Sequence, residues 1–561
     1  MTESFPRQQA RTRRFSLGVP RAFTISPDGT RIVFLRTKSG ADPVTCLWQL
    51  DVASGTERLV ADPTALNAAD EDLPPEEKAR RERAREQAGG IVSYAADADL
   101  RTVVFSLSGR VFTADLTGAG VTGAEGSGDA APREVTVQTP ALDPRPDPAG
   151  RRLAYVSAGA LRVAPLNAGL DADPDEKDRA VAEPADEPGV HYGLAEHIAA
   201  EEMGRLRGYW WAPDGSALLV ARVDETPVQR WYISDPAHPD RAPAEIRYPA
   251  AGTPNADVSL LLVGLDGSRT PVEWDRGAFE YLVTVVWEAD HEPLIVVLNR
   301  DQNRLQLRTV DPGTGATALL REDTDPQWVD VVPGVPAWTG DGRLVWSVDV
   351  RGAKRLVVGT PAEHRTGTAE TVTPGSLQVR DIIGVDGDTV LFSASGEPTE
   401  IALWSYGPGG LTQVSPDGGL AGGRRAGGTT VLTRRALDQD GVTVEVLRDR
   451  TGGNGAGGNG AGGAAEPAAR IESYAEKPNL PLPGPRLLSA GAREIRTAVL
   501  FPSWHEPGSG PLPVLLDPYG GPHAQRVLAA SGAFLTSQWF AEQGFAVVIA
   551  DGRGTPGRGP V

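Results

Sequence analysis

Residues 26–37 read SPDGTRIVFLRT, a tight polar turn followed by a short run of apolar and β-branched residues. Proline presets φ at the first central position of such a turn, and glycine tolerates the positive φ that closes it. The run that follows has the length and composition of a strand. The same punctuation returns as Asp147-Pro-Ala-Gly before RRLAYVS, Ala212-Pro-Asp-Gly before SALLVARVD, Gly340-Asp-Gly before RLVWSVD and Asp386-Gly-Asp before TVLFSAS. Partner strands follow in places, as in LWQLDVASGTERLV (47–60) and LQLRTVDPGTGATALL (305–320). Hairpins recurring from about residue 20 to 450 predict the blades of a β-propeller, an architecture that protects most strand edges. Two unrelated β-sandwiches are the alternative, but sandwiches seldom need so many hairpins.

Composition narrows the classes of function. At 561 residues the chain exceeds what one core usually serves, so more than one domain or a large repeat assembly is expected. A net charge of −19 disfavours nucleic acid and anionic membrane surfaces, which need concentrated positive charge. Cys46 stands alone, which excludes an internal disulfide framework and a cysteine-based zinc site, and fits a reducing cytoplasm. The start, MTESFPRQQARTRRFSLG, has positive charge but no apolar stretch behind it, and no eighteen apolar residues run together. Neither export nor membrane insertion is expected. No HExxH, CxxC, P-loop or dinucleotide fingerprint occurs, so no metal and no cofactor is expected.

Two segments interrupt the hairpin pattern. PEEKARRERAREQ (75–87) reads as a helix, acidic in its first turn and rich in glutamate–arginine pairs three or four apart. TGGNGAGGNGAGG (451–463) has no side chains able to bury area and reads as a loop. Beyond residue 485 the character changes. LPVLLD (512–517), GAFLTSQWFAEQG (532–544) and FAVVIAD (545–551) read as buried strand, helix and buried strand, the beginning of a parallel sheet. Their apolar faces are expected to lack cover.

Three segments carry chemistry. The first is Glu201-Glu202-Met-Gly-Arg-Leu-Arg-Gly-Tyr209-Trp210-Trp211-Ala-Pro-Asp-Gly. Two carboxylates near one site repel and tend to hold a proton, and a bound cation relieves them. A bare Glu-Glu is more often a solvated helix face. The second is the basic helix with Arg81, Arg83 and Arg85, for which a solvated charged helix is an equally good reading. The third is Leu516-Asp517-Pro518-Tyr519-Gly520-Gly521-Pro522-His523. A preorganised hydroxyl beside a carbonyl that gains negative charge in acyl transfer can lower the barrier by roughly 3 kcal/mol.

Taken in their order along the chain, the three segments resemble the dipeptidyl peptidase IV family of the prolyl oligopeptidase superfamily, above all its cytosolic branch containing dipeptidyl peptidases 8 and 9. The resemblance implies an eight-bladed propeller over residues 1–480, with a helix insertion at 75–88 and a Gly-rich loop at 451–466, followed over 481–561 by the start of an α/β-hydrolase domain. It implies that Glu201 and Glu202 grip the free α-ammonium of a peptide. One of Arg81, Arg83 and Arg85 would hold a peptide carbonyl, and Tyr519 would stabilise the oxyanion. Trp210 and Trp211 read as core, and Tyr248 to Asn255 and His523 as structural. The activity implied is serine-type release of Xaa-Pro or Xaa-Ala dipeptides from peptides with a free N-terminus, by a protein that can be a homodimer at full length.

The nucleophile elbow G-x-S-x-G occurs nowhere in the sequence. The serine, aspartate and histidine of a triad are therefore expected to lie beyond residue 561, which makes this chain a fragment without peptidase activity. The rivals are a noncatalytic propeller that binds peptides, and an oligopeptidase or acylaminoacyl peptidase of the same fold, which would not need paired glutamates.

Overall fold

The computed structural model describes residues 3–66, 73, 77–78, 81–82, 86, 88–118, 131–166, 177–185, 187–450, 465–506, 508–521 and 524–558. The Gly-rich stretch 451–463 and His523 lie outside them, as do Arg83 and Arg85.

The turn chemistry builds the strands. In SPDG, Ser26 Oγ accepts from the backbone N–H groups of Thr30 (3.2 Å) and Arg31 (3.0 Å) and itself donates to Asp28. That bond from Ser26, with those from Thr30, holds the Asp28 carboxyl down at about 2. Asp147 uses its carboxylate in the same way, accepting from Arg151 N (2.6 Å) and Arg152 N (3.1 Å). Gly29 takes φ +70°, and a β-carbon there would lie 2.4 Å from the carbonyl oxygen of Gly427. The strands that emerge, Arg31–Thr37 and Arg152–Ser157, are buried almost throughout.

Among the described residues eight such sheets follow one another, all antiparallel and, save the five-stranded first and fourth, of four strands in chain order. They cover residues 21–61, 95–135, 142–182, 190–271, 281–324, 337–371, 378–413 and 420–470. These are the blades of a mainly β, propeller-type fold. The fourth is enlarged. It gains the strand Val190–Leu194, and between Ala217–Asp224 and Asp257–Gly264 it extrudes a separate hairpin, Arg230–Ile233 with Ala244–Arg247. Two compact units divide the chain. The first is 1–62 with 332–561, and the second is 63–331.

Within each unit neighbouring sheets share apolar cores. In the second, Leu142, Val156 and Leu161 pack with Tyr209, Leu218 and Val263, and Trp210 and Leu260 pack with Leu282 and Ile295. In the first, Ile32, Phe34 and Leu50 of the first sheet pack with Val431, Val444 and Val446 of the eighth. Each fully buried Val, Leu or Phe contributes roughly 1.5–3 kcal/mol. Thr429 Oγ1 donates to Gly29 O (2.8 Å), so the turns of these two sheets are joined as well.

After residue 485 a ninth sheet forms in the order Arg486–Ala490, Ile495–Leu500, Ala546–Ala550, Val514–Leu516. Its last two strands are parallel and are connected through a short 3₁₀ turn and the helix Leu535–Glu542. The strand–helix–strand reading is met, and the hairpin at 486–500 is an addition. The expected lack of cover falls on the two edge strands, where Val514 and Leu516 are 62% and 68% exposed and Leu488 is 49% exposed, whereas Leu500, Val547 and Ile549 are buried. Polar bonds tie this layer to the seventh and eighth sheets. Arg496 forms a two-pronged pair with Glu397 (2.6 and 3.0 Å), and Ser531 N donates to Ala436 O (3.1 Å). Among the described residues no helix is long and apolar enough to cross a membrane.

Candidate functional site

Glu201 and Glu202 end the helix His197–Glu202. Glu196 caps it: one carboxylate oxygen accepts from Ala199 N (3.1 Å), the other from Arg205 Nη2 (2.8 Å). The side chains of this ion pair are 6% and 4% exposed. Arg205 also donates from Nε to Leu282 O and from Nη1 to Arg207 O, both at 3.0 Å. The reversal after the helix is thereby locked, with Gly204 at φ +66° and Arg205 N bonded to Ala199 O (2.9 Å). Ala195, Ala199 and Ala200 face inward, and both glutamates are exposed on the last turn. Carboxylates there oppose the helix dipole, and no basic residue shares that turn. Among the described residues Glu201 has no hydrogen-bond or ion-pair partner. A cation would satisfy both deficits.

The aromatics that follow are structural, as read. Trp210 and Trp211 are buried in the strand Arg207–Trp211. Tyr209 is fully buried, its hydroxyl between the carbonyl oxygens of Ala154 (2.9 Å) and Asp143. Burial pushes that phenol well above its ordinary range. Beside the helix lies a small pocket lined by Glu196, His197, Arg247, Asn255, Glu280 and Tyr281. The segment Tyr248 to Asn255 forms part of its wall: Asn255 Nδ2 donates to Tyr281 Oη (3.0 Å), and Tyr248 meets His197 edge-on at 5.2 Å.

Glu77, Lys78, Arg81 and Glu82 are helical, in line with the predicted insertion. Arg81 is buried and pairs with Glu77 at 2.9 Å. Tyr519 belongs to the first unit, on the loop after Val514–Leu516, and is half-buried. Its phenol folds back over Gly521, where a β-carbon would sit 2.7 Å from the hydroxyl oxygen. The loop is held by Asp517, whose N–H donates to Val548 O (2.9 Å) and whose carboxylate pairs with Arg526 (2.7 Å). Buried Asp551 accepts from Arg526 N (2.9 Å) and Val527 N (3.0 Å). Cys46 is no substitute nucleophile, since burial, aided by Asp62, pushes its thiol up to about 12.

Sequence reasoning missed Glu196 and Arg205, which position the glutamate pair. An N-cap glutamate three residues before a buried alanine is a weak signal, and its partner becomes visible only when the chain turns back.

Comparison with known proteins agrees with this construction. Residues 121–419, more than half of the chain, match the family model for the dipeptidyl peptidase IV (DPP IV) N-terminal region. Venom dipeptidyl peptidase 4 of Apis mellifera is 32% identical over 215 residues, which are 35% of this chain and 28% of that protein. The probable dipeptidyl-aminopeptidase B of Emericella nidulans is 26% identical over 417 residues, 65% of this chain and 44% of that one. Inactive dipeptidyl peptidase 10 of Rattus norvegicus is 25% identical over 243 residues, 40% and 30% of the two chains. The chain thus spans less than half the length of these curated relatives. The crystal structure of Porphyromonas gingivalis dipeptidyl peptidase 4 shares the fold, with a TM-score of 0.72 at 20% identity over 99% of this chain and 74% of that one. Repeated four-stranded sheets, a glutamate pair on a capped helix inside the matched region, and these relatives lead to one assignment: the chain belongs to the dipeptidyl peptidase IV family.

Proposed function

We propose that this chain is the substrate-reading portion of a serine exopeptidase that releases Xaa-Pro or Xaa-Ala dipeptides, of the cytosolic branch with dipeptidyl peptidases 8 and 9, acting in the cytoplasm and as a homodimer at full length. The observation that carries the reading is the exposed, unpartnered Glu201 carboxylate beside Glu202, on a helix end fixed by the Glu196–Arg205 pair. An ammonium group offers three donors and a full positive charge, which answers two carboxylates better than a neutral ligand can. In this scheme one of Arg81, Arg83 and Arg85 holds a peptide carbonyl and Tyr519 donates to the oxyanion, in a hydrolase layer begun by residues 481–561. With no G-x-S-x-G in the sequence, these 561 residues alone bind peptide without cleaving it.

A peptide with a free amino terminus is expected to bind at least about tenfold more tightly than its N-acetylated form, and Glu201→Gln to remove that preference. Titration calorimetry reads both; equal affinities for the two peptides would refute the ammonium assignment. A Gly-Pro reporter is expected to remain intact with this chain alone, and turnover above buffer would overturn that part. The similarity to a relative named an inactive dipeptidyl peptidase favours one second reading, a noncatalytic peptide-binding module. It shares the binding result, and differs in that the complete protein would also leave the reporter intact.

A further inference from the structure

Arg207 opens the strand Arg207–Trp211, shortly after the glutamate pair. Its Nε donates to Tyr209 O (3.2 Å) and its guanidinium lies over the Trp210 ring at 5.4 Å. Among the described residues its two terminal nitrogens have no hydrogen-bond or ion-pair partner. Close by is Arg145, from Leu142–Pro146, the first strand of the third sheet. The pairing register of that strand slips between Leu142 and Arg145, with Asp143 at φ +46°, and such a bulge re-aims the side chains next to it. The Asp143 carboxylate holds Arg145 by two contacts, 2.9 Å to Nη2 and 3.1 Å to Nε. Tyr209 and Trp211 bridge the two strands, donating to Asp143 O and Arg145 O.

The one carboxylate is taken up by Arg145, and Arg207 beside it has no ion-pair partner among the described residues, which leaves a net positive charge in a half-enclosed place. Burial first, and repulsion from Arg145 second, bring Arg207 down to about 10. Both side chains still reach solvent on one side, Arg145 with 29% exposure. An arginine that merely laid its stem on a tryptophan at the surface would bear neither cost. A carboxylate arriving from solvent would remove both, since it accepts two parallel N–H bonds from a guanidinium and restores neutrality.

We infer that Arg207 and Arg145 form an anion site that receives a carboxylate of the bound peptide, supplied by its C-terminus or by an acidic side chain. The inference rests on the reading of a peptide as ligand, while the group recognised is the opposite end of the charge pattern from the ammonium at Glu201.

Two pairs of probes separate the sources: Ala-Pro-Ala-Ala as free acid and as amide, and Ala-Pro-Glu-Ala amide beside Ala-Pro-Gln-Ala amide. With the whole 561-residue chain, calorimetry is expected to give about a tenfold preference for the anionic member of at least one pair. Arg207→Gln abolishes that preference, and Asp143→Asn, which strips the competing carboxylate, enlarges it. Glu201→Gln weakens all four peptides while leaving the ratio within each pair intact. If Glu201→Gln has no effect and the ratio persists, the ammonium reading fails and the anion site stands. Ratios near one for both pairs, a preference that survives Arg207→Gln, or no binding at millimolar peptide would each overturn the site. Should Arg207→Gln fail to fold, Asp143→Asn decides: an unchanged ratio refutes the proposal.

Discussion

Replacing Arg205 with alanine is expected to destabilise the second unit by about 3 to 5 kcal/mol, because it strands the Glu196 carboxylate in a buried site. The partner cannot relax into water. Glu196 is 6% exposed at its side chain and is already the cap of the helix that ends in Glu201 and Glu202. Two carbonyl groups, those of Leu282 and Arg207, lose their donor in the same change. Glu196→Gln with Arg205→Met should cost less than Arg205→Ala alone, since no unpaired charge is left behind. Hydrogen exchange at residues 197–203 reads the local effect, and the preference for free-amine peptides should fall together with protection. Retained protection in Arg205→Ala would show that the ion pair does not hold this helix.

Arg36→Ala should cost the first unit a similar amount, about 3 to 5 kcal/mol, for a different reason. Arg36 has a fully buried side chain, paired with Glu57 and donating to Glu472 O at 2.6 Å. Its guanidinium lies 4.5 Å from the Trp48 ring centre and 3.9 Å from that of Tyr474. It thus joins the first sheet to the segment after the eighth, where Tyr474 N also bonds to Gly18 O (2.8 Å). Arg36→Lys is expected to recover less than half of the loss, because an ammonium cannot stack its plane on two rings while forming the same fork. Denaturant unfolding followed by tryptophan fluorescence tests this, and a lysine variant as stable as the parent would contradict it.

Much of the fold was legible because turns announce themselves locally. SPDG, DPAG and APDG each specify a reversal through side chains a few residues apart, and the strands after them follow. The second sheet shows where this fails. Asp97 accepts from Arg101 N (2.7 Å) and Thr102 N (3.0 Å) in the manner of Asp147, but Leu100 occupies the turn at φ +52° where glycine stands elsewhere. No turn signal is visible in Asp97-Ala-Asp-Leu100. For the site, the segment around Glu201 and Glu202 was legible only through its resemblance to the dipeptidyl peptidase IV family. The groups that aim and enclose it were not legible. Arg205 with Leu282, and Arg205 with Glu196, are pairings between separate elements, and periodicity carries no record of them.

The shared core of residues 25–52 and 431–471 also bears on synthesis. A ribosome releases Ile32, Phe34 and Leu50 some four hundred residues before Val431, Val444 and Val446 exist to cover them. Loop closure grows only logarithmically with length, so the seam costs little at equilibrium, but it forms late and slowly. For that interval the nascent first blade presents an apolar flank, and it is there that a chaperone would find the growing chain or a second nascent copy would stick.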